Sequence, residues 1–399
     1  MIRARHLCGL LAAALLPFAT ACAALGGPQA QSSGPIKLGM VTSLTGNYAP
    51  LGTNDKLGVQ QVIDQQNARG GINGRRIEID VLDDGSDPNQ SVIQFNKLAD
   101  QGVVAVLGPP QSTADLALKP VVNDKKIPTV ALGASDDQVV PVTPYMWQTA
   151  PLSSQIATTC LAFLKQQGKT RLAMLTDTKN AYAVSGHDGV QKLLGNYGIS
   201  LVDDESFELG QTNFTPQFTK IVAARPDVLL VWATGAPPVV ITKQWADVGN
   251  RIPLMMTAAE ASTLYVQPAG PAAEGVFVEA SLGVIGKALP ASNKFKKLVD
   301  DFAGPFEQAN QYYPPQFAWD GMVAASFLID AINRKGADRE AIRAGLDSID
   351  LDTPQGHYTF TSDRHAGMPD SSNVMTVISN GEFVPAPGVA EDQLARAGQ

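Results

Sequence analysis

The sequence predicts an α/β protein built on two mainly parallel sheets. From Ile36 onward, short β-rich apolar runs alternate with longer amphipathic ones, the order of strand, crossover helix and strand. These runs fall into two series, one within residues 36–132 and one within residues 171–280, so two sheets are implied. The chain has 399 residues, 44% of them hydrophobic and 17% charged, enough for a sizeable core and too many for one ordinary globular unit. Two lobes are the expectation.

In the first series the strand candidates are residues 36–44, 76–83, 103–108 and 127–132. In the second they are residues 171–177, 228–234, 254–257 and 276–280. The helix signals between them are local. Asp87-Pro88 supplies an N-cap and a pre-set first helical residue, Val92, Phe95, Leu98 and Ala99 make one apolar face, and Gly102 ends the run. Thr215-Pro216 opens a helix with Phe218, Ile221 and Val222 inside, closed at Arg225-Pro226. Pro237-Pro238 opens another through Val240, Ile241 and Trp245 to Gly249. After Ser281, helices at 293–302 and 317–332 need a sheet to cover, and a β-rich tail at 357–361 and 374–384 follows them. A chain that crosses between lobes more than once accommodates this order.

The ends read differently. Arg3, Arg5 and His6 precede an apolar run from Leu7 to Phe18 and then Ala19-Thr20-Ala21-Cys22, the layout of a secretory leader too short to span a bilayer comfortably. Cleavage before Cys22 matches a lipoprotein signal, with residues 1–21 removed and Cys22 acylated; Ala19-Thr20-Ala21 also satisfies the small-x-small rule of plain secretion. Residues 22–35 are small and polar, as a tether is. With Cys8 in the leader and Cys22 as the lipidation candidate, Cys160 is left alone in the pattern Ile156, Cys160, Leu161, Leu164, where a buried structural thiol is expected. The net charge of −8 argues against nucleic acid as a partner.

The run Ile36-Lys37-Leu38-Gly39 to Ser43-Leu44-Thr45-Gly46, then Gly70-Gly71-Ile72-Asn73-Gly74 and Asp83-Asp84-Gly85-Ser86-Asp87-Pro88, resembles the opening of the type I periplasmic binding proteins. More narrowly, it is similar to the leucine/isoleucine/valine-binding branch of ABC-importer receptors. The likeness continues through Val106-Leu107-Gly108 with Ser112, Ile127-Pro128 with Gly133-Ala134-Ser135, Ala318-Trp319-Asp320-Gly321, and Thr353-Pro354-Gln355-Gly356-His357-Tyr358-Thr359-Phe360. It implies two Rossmann-like lobes joined by a three-crossover hinge, with a ligand bound between them and hinge closure over it. By this analogy the first lobe is residues 36–151 plus 282–350, the second is 152–281 plus 351–387, and 388–399 form a tail. It also implies the partners: a small solute, an amino acid or a related carboxylate or amide, and an ABC permease complex. The protein is then exported and held to the outer face of the membrane through Cys22.

Ser112 stands after strand 103–108 and begins the run 112–122, where a hydroxyl and free helix-start N–H groups would meet an anion; it would equally serve as a helix cap. The resemblance places Ser112 on the ligand carboxylate, with a carbonyl from Gly133 and a hydroxyl from Ser135 in the next strand-end loop. Across the cleft it places Tyr182 and, at the end of strand 228–234, Thr234; Leu51 falls where some members place an aromatic over the ligand, or serves only as wall. Glu260 is the first acid after strand 254–257 and the candidate partner of a ligand ammonium, about two residues from where amino-acid-binding members carry theirs. All of these follow the carboxyl ends of strands or begin helices, as ligand residues of open α/β sheets do.

An enzyme is the first rival, and its best fragment is Ser185-Gly186-His187-Asp188. Neighbouring helical side chains diverge in direction, so these cannot form a relay with one another. No metal, phosphate-loop or cofactor motif appears, and the acid run Asp203-Asp204-Glu205 reads as a solvated face. A ligand sensor of the same fold is the second rival; the absence of any appended signalling helix favours transport.

Overall fold

The computed structural model describes residues 34–248 and 251–399. The leader, Cys22 and nearly all of the tether, together with Gly249 as a helix end, lie outside the described residues. The first sheet is β1 (Ile36–Thr42), β2 (Ile77–Asp83), β3 (Ala105–Leu107), β4 (Thr129–Ala131) and β5 (Met146–Gln148), in the order β2-β1-β3-β4-β5 with every pair parallel. The helices α1 (Ala49–Ala68), α2 (Pro88–Asp100) and α3 (Ser112–Lys125) connect them. The Asp87 carboxylate caps α2 by accepting the Asn89 N–H at 2.7 Å.

The chain then enters α4 (Ser153–Gln166) and builds β6 (Arg171–Asp177), α5 (Ala181–Tyr197), β7 (Ser200–Phe207), β8 (Val228–Trp232), β9 (Leu254–Met256) and β10 (Phe277–Ser281). It returns to the first lobe after β10, where the helix Gln316–Lys335 packs along α1. Contact there is close. A Cβ on Gly58 would lie 2.1 Å from the Ala318 carbonyl oxygen, and one on Gly321 would lie 2.2 Å from that of Asp55, so two glycines let the backbones meet.

A hairpin of β11 (Asp350–Thr353) and β12 (Gly356–Thr359) follows. Tyr358 packs edge-on against Phe327 of the long helix at 5.0 Å. The chain next runs beside β5, where Gln148 bridges Ala366 and His365 stacks on Trp147 at 4.6 Å. Only then does it reach β13 (Asn373–Ser379) and β14 (Glu382–Pro385), which complete a second sheet of order β14-β13-β10-β9-β8-β6-β7. Strand pairing therefore changes sheets after residue 366, whereas the sequence placed the boundary at 350/351. Three crossings join the lobes.

Three differences from the sequence expectations have physical causes. Strand β5 has three residues, all buried, too few to show a period. The run Asp203–Glu205 lies in β7 at the open edge of the second sheet, where charges discourage further pairing. Residues 388–399 are no loose tail: the helix Glu391–Arg396 is held by Asn293, whose Nδ2 donates to the Leu394 and Ala397 carbonyls at 2.7 and 3.1 Å. Cys160 is fully buried in α4, and that burial holds its thiol far above the ordinary range.

Candidate functional site

A cavity lies between the lobes where loops leave the carboxyl ends of the strands. Ser112, Gly133, Tyr182, Thr234 and Leu51 all line it; Ser135 and Glu260 do not.

One end of the cavity is the start of α3. The N-cap is Gln111, extended at φ −105° and ψ 126° and giving no side-chain cap, so Ser112 is the first helical residue rather than the cap. The N–H groups of Ser112, Thr113 and Ala114 find no acceptor among the described residues; the ladder begins with Asp115 N–H to the Gln111 carbonyl at 2.9 Å. Ser112 Oγ accepts the N–H groups of Ala134 and Ser135, each at 3.0 Å. A serine oxygen has two lone pairs and one proton, so this hydroxyl has only a proton left to offer. The loop must pass close: a Cβ on Gly133 would lie 2.7 Å from Ser112 Oγ and 2.5 Å from Asp115 Oδ2. Ser135 stands behind this wall, bracing Ser112 through its backbone and giving its N–H also to Gln138 Oε1 at 3.0 Å.

The second lobe supplies rings and small side chains. Tyr182 packs edge-on against Trp232 at 5.3 Å, its hydroxyl without a partner. Burial and the neighbouring Glu260 push that hydroxyl far above its ordinary pKa. Asn180 caps α5, accepting from Tyr182 and Ala183 N–H, and donates to Thr234 Oγ1 at 2.6 Å. After β9 a single 3-10 turn, Ala258–Glu260, puts Ala258 and Ala259 on the wall. Glu260 is turned behind them, where its Oε2 accepts the Thr257 hydroxyl at 3.2 Å and burial holds its carboxyl well above the usual range.

Among the wall residues that the sequence reading of the site did not name, four matter most. Tyr48, from the loop after β1, reaches across to the neighbourhood of Thr234, Asn180 and Asp177, and burial raises its pKa. Phe317, Gln316 and Asp320 come from the first two turns of the long helix. Asp320 was legible only as part of a family motif. Its Oδ1 accepts the amides of Gln316 and Gln355 at 3.0 and 2.9 Å, and the Gln316 Oε1 in turn accepts the Ser281 N–H at 3.2 Å. These bonds tie the wall of the cavity to the second crossing and to the hairpin loop that precedes the third. Burial pushes Asp320 up to about 7 and the neighbouring Glu279 to about 8.

The lobes are closed on each other. Thr113 Oγ1 accepts the Ala181 N–H at 3.1 Å, Asp136 N–H donates to Ser185 Oγ at 3.2 Å, and the Ala134 carbonyl accepts both the N–H and the hydroxyl of Ser153 at 2.8 Å. Ser112 is left 3% exposed and Tyr182 5%. Ser185 thus serves closure, while His187 points to Asp204 at 3.0 Å on the outer surface.

The sequence model of a family described as periplasmic binding protein matches residues 35–382. A leucine-, isoleucine-, valine-, threonine- and alanine-binding protein from Pseudomonas aeruginosa is 24% identical over 329 residues, covering 82% of this chain and 85% of the relative. An extracellular ligand-binding receptor from Rhodopseudomonas palustris HaA2 superposes with a TM-score of 0.81 at 22% identity, over 90% of this chain and 100% of the other. A solute-binding protein of an R. palustris ABC transporter, solved in complex with benzoate, gives 0.78 at 21% identity, over 88% and 95% of the two chains. The chain belongs to the type I periplasmic binding proteins, in the branch of the leucine/isoleucine/valine-binding proteins.

Proposed function

We propose that this protein is the solute-capturing receptor of an ABC importer and that it holds a small carboxylate between its lobes. Its family is one of solute-binding receptors rather than enzymes. The observation that carries the carboxylate is the start of α3, where three N–H groups without acceptors and a serine hydroxyl with both lone pairs occupied border the cavity. A helix N-terminus with open donors favours an anion through its dipole and its hydrogen bonds together. Branch membership supports a branched-chain or other amino acid as solute; the start of α3 supports the carboxylate half of such a molecule.

Anchoring by acylated Cys22 belongs to the same proposal and rests on the leader, the small residues before Cys22 and the tether after it. Intact mass after expression in a bacterium with lipoprotein processing tests it: Cys22 bearing acyl chains is expected, and a soluble, unmodified chain would refute the anchor.

Native mass spectrometry of gently purified protein, followed by calorimetry with the released solute, tests the function. The solute should carry a carboxylate, and its methyl ester should bind at least tenfold more weakly, since loss of a charge-assisted hydrogen bond costs about 1.5–3 kcal/mol. An ester that binds as well as the acid would refute the grip at α3.

A further inference from the structure

The proposed carboxylate grip leaves open what the rest of the solute carries, and the walls beside the grip bear on that. An α-ammonium is attached to the carbon next to the carboxylate, so its partner must stand close to Ser112. The carbonyls there are filled or half engaged. Ala134 O takes two donors from Ser153 at 2.8 Å, and Gly133 O takes the Gln138 amide at 3.2 Å. On the adjoining wall, Ala150 O takes the Gln148 amide at 3.2 Å. The segment after β9 meets the cavity with the methyl groups of Ala258 and Ala259, and the acid of that turn lies behind them on Thr257.

Asp320 is the acid on the wall among the described residues, and no lysine, arginine or histidine lines it. Its carboxylate is committed to Gln316 and Gln355 in the network that joins the crossings. The remaining surface is uncharged, with Asn180 bonded to Thr234 on one side and Leu51, Leu132, Ile156 and Phe317 beside the two tyrosines. A buried ammonium that meets only half-engaged carbonyls and neutral groups, with no uncommitted acid, keeps much of its desolvation cost.

Resting on the carboxylate reading of the site, we infer that the solute is a monocarboxylate whose remainder is apolar and bears no amine, an aliphatic or aromatic acid rather than an amino acid. A quaternary ammonium is the rival, because ring faces hold such a cation without an acid.

Calorimetry on the full-length protein, freed of retained solute, with matched probes decides this. The pairs are 4-methylpentanoate against leucine and 3-phenylpropanoate against phenylalanine, with benzoate and N-trimethylglycine alongside. In each pair that binds, the acid without the amine should bind on the order of a hundredfold tighter. Benzoate and 3-phenylpropanoate against 4-methylpentanoate separate the aromatic from the aliphatic class. An amino acid that matches or exceeds its amine-free partner overturns the inference, and so does N-trimethylglycine as the tightest probe. If leucine binds and Ser112→Ala weakens it, the carboxylate grip stands and this inference alone falls. If no probe binds, or Ser112→Ala weakens none that does, the grip fails and the inference falls with it.

Discussion

Replacing Glu279 with glutamine should change how stability depends on pH more than it changes the fold. Glu279 lies in β10, fully buried, paired with Met375 of β13. Neither of its oxygens has a hydrogen-bond partner at ordinary distance, and the Ala258 N–H is a nearby backbone donor. The titratable groups facing it are Asp320, Cys160 and Tyr182. None is a base. Burial first, and then the Asp320 charge, raise its carboxyl from 4.5 to about 8. The folded state therefore holds its proton more tightly than the unfolded state does. Its contribution is fully present below about pH 4.5 and is lost as pH rises through about 8. A shift of this size corresponds to roughly 5 kcal/mol across the window, of which roughly 3 is already lost at pH 7.

Glutamine does not titrate. Its buried amide carries a constant cost of about 1–3 kcal/mol if it finds no partner, which moves the whole curve without tilting it. Urea unfolding at pH 5, 6, 7, 8 and 9 separates the two effects. The difference between Glu279→Gln and wild type should swing toward the variant by several kcal/mol over that range. Curves that stay parallel within about 1 kcal/mol would refute the argument.

Three further outcomes are expected. Glu260→Gln should leave solute affinity within about threefold by calorimetry, because its carboxyl stands behind Ala258 and Ala259; a loss of a hundredfold would place it on the solute. Thr113→Val should weaken affinity about fivefold, the worth of the one cross-lobe bond from Ala181 N–H that it removes; unchanged affinity and dissociation rate would mean this bond adds nothing to closure. Small-angle scattering should show a smaller radius of gyration with saturating solute than without, because hinge opening would break the cross-lobe bonds of Thr113 and Asp136; an unchanged radius with confirmed binding would refute hinge opening.

Much of this architecture is legible in the residues themselves. Asp87-Pro88, Thr215-Pro216 and Pro237-Pro238 mark helix starts that the structure places at Pro88, Thr215 and Pro237, because a fixed proline φ acts within one turn, joined at Asp87 by a side-chain cap. What required three dimensions was direction. An acid after β9 is plain in the sequence, yet one 3-10 turn decides that Ala259 and not Glu260 meets the cavity. Tyr48 and Phe317 sit in unremarkable sequence and become wall residues only because the long helix packs along α1, which brings its start to the loop after β1. Likewise Asp320 acquires its setting from Gln316 and Gln355, the latter 35 residues away.

The start of α3 has a consequence for the medium in which capture takes place. The anion proposed for this site, held by N–H dipoles and one hydroxyl on a wall without lysine, arginine or histidine, would be attracted by partial charges enclosed with it rather than by a charged surface. Mobile ions screen fields that pass through water over distances near a Debye length, about 8 Å at physiological ionic strength. They have little access to a closed cavity in which Ser112 is 3% exposed. The strength of capture should therefore hold nearly constant from dilute to salty surroundings, with no cloud of counterions to displace when the solute arrives.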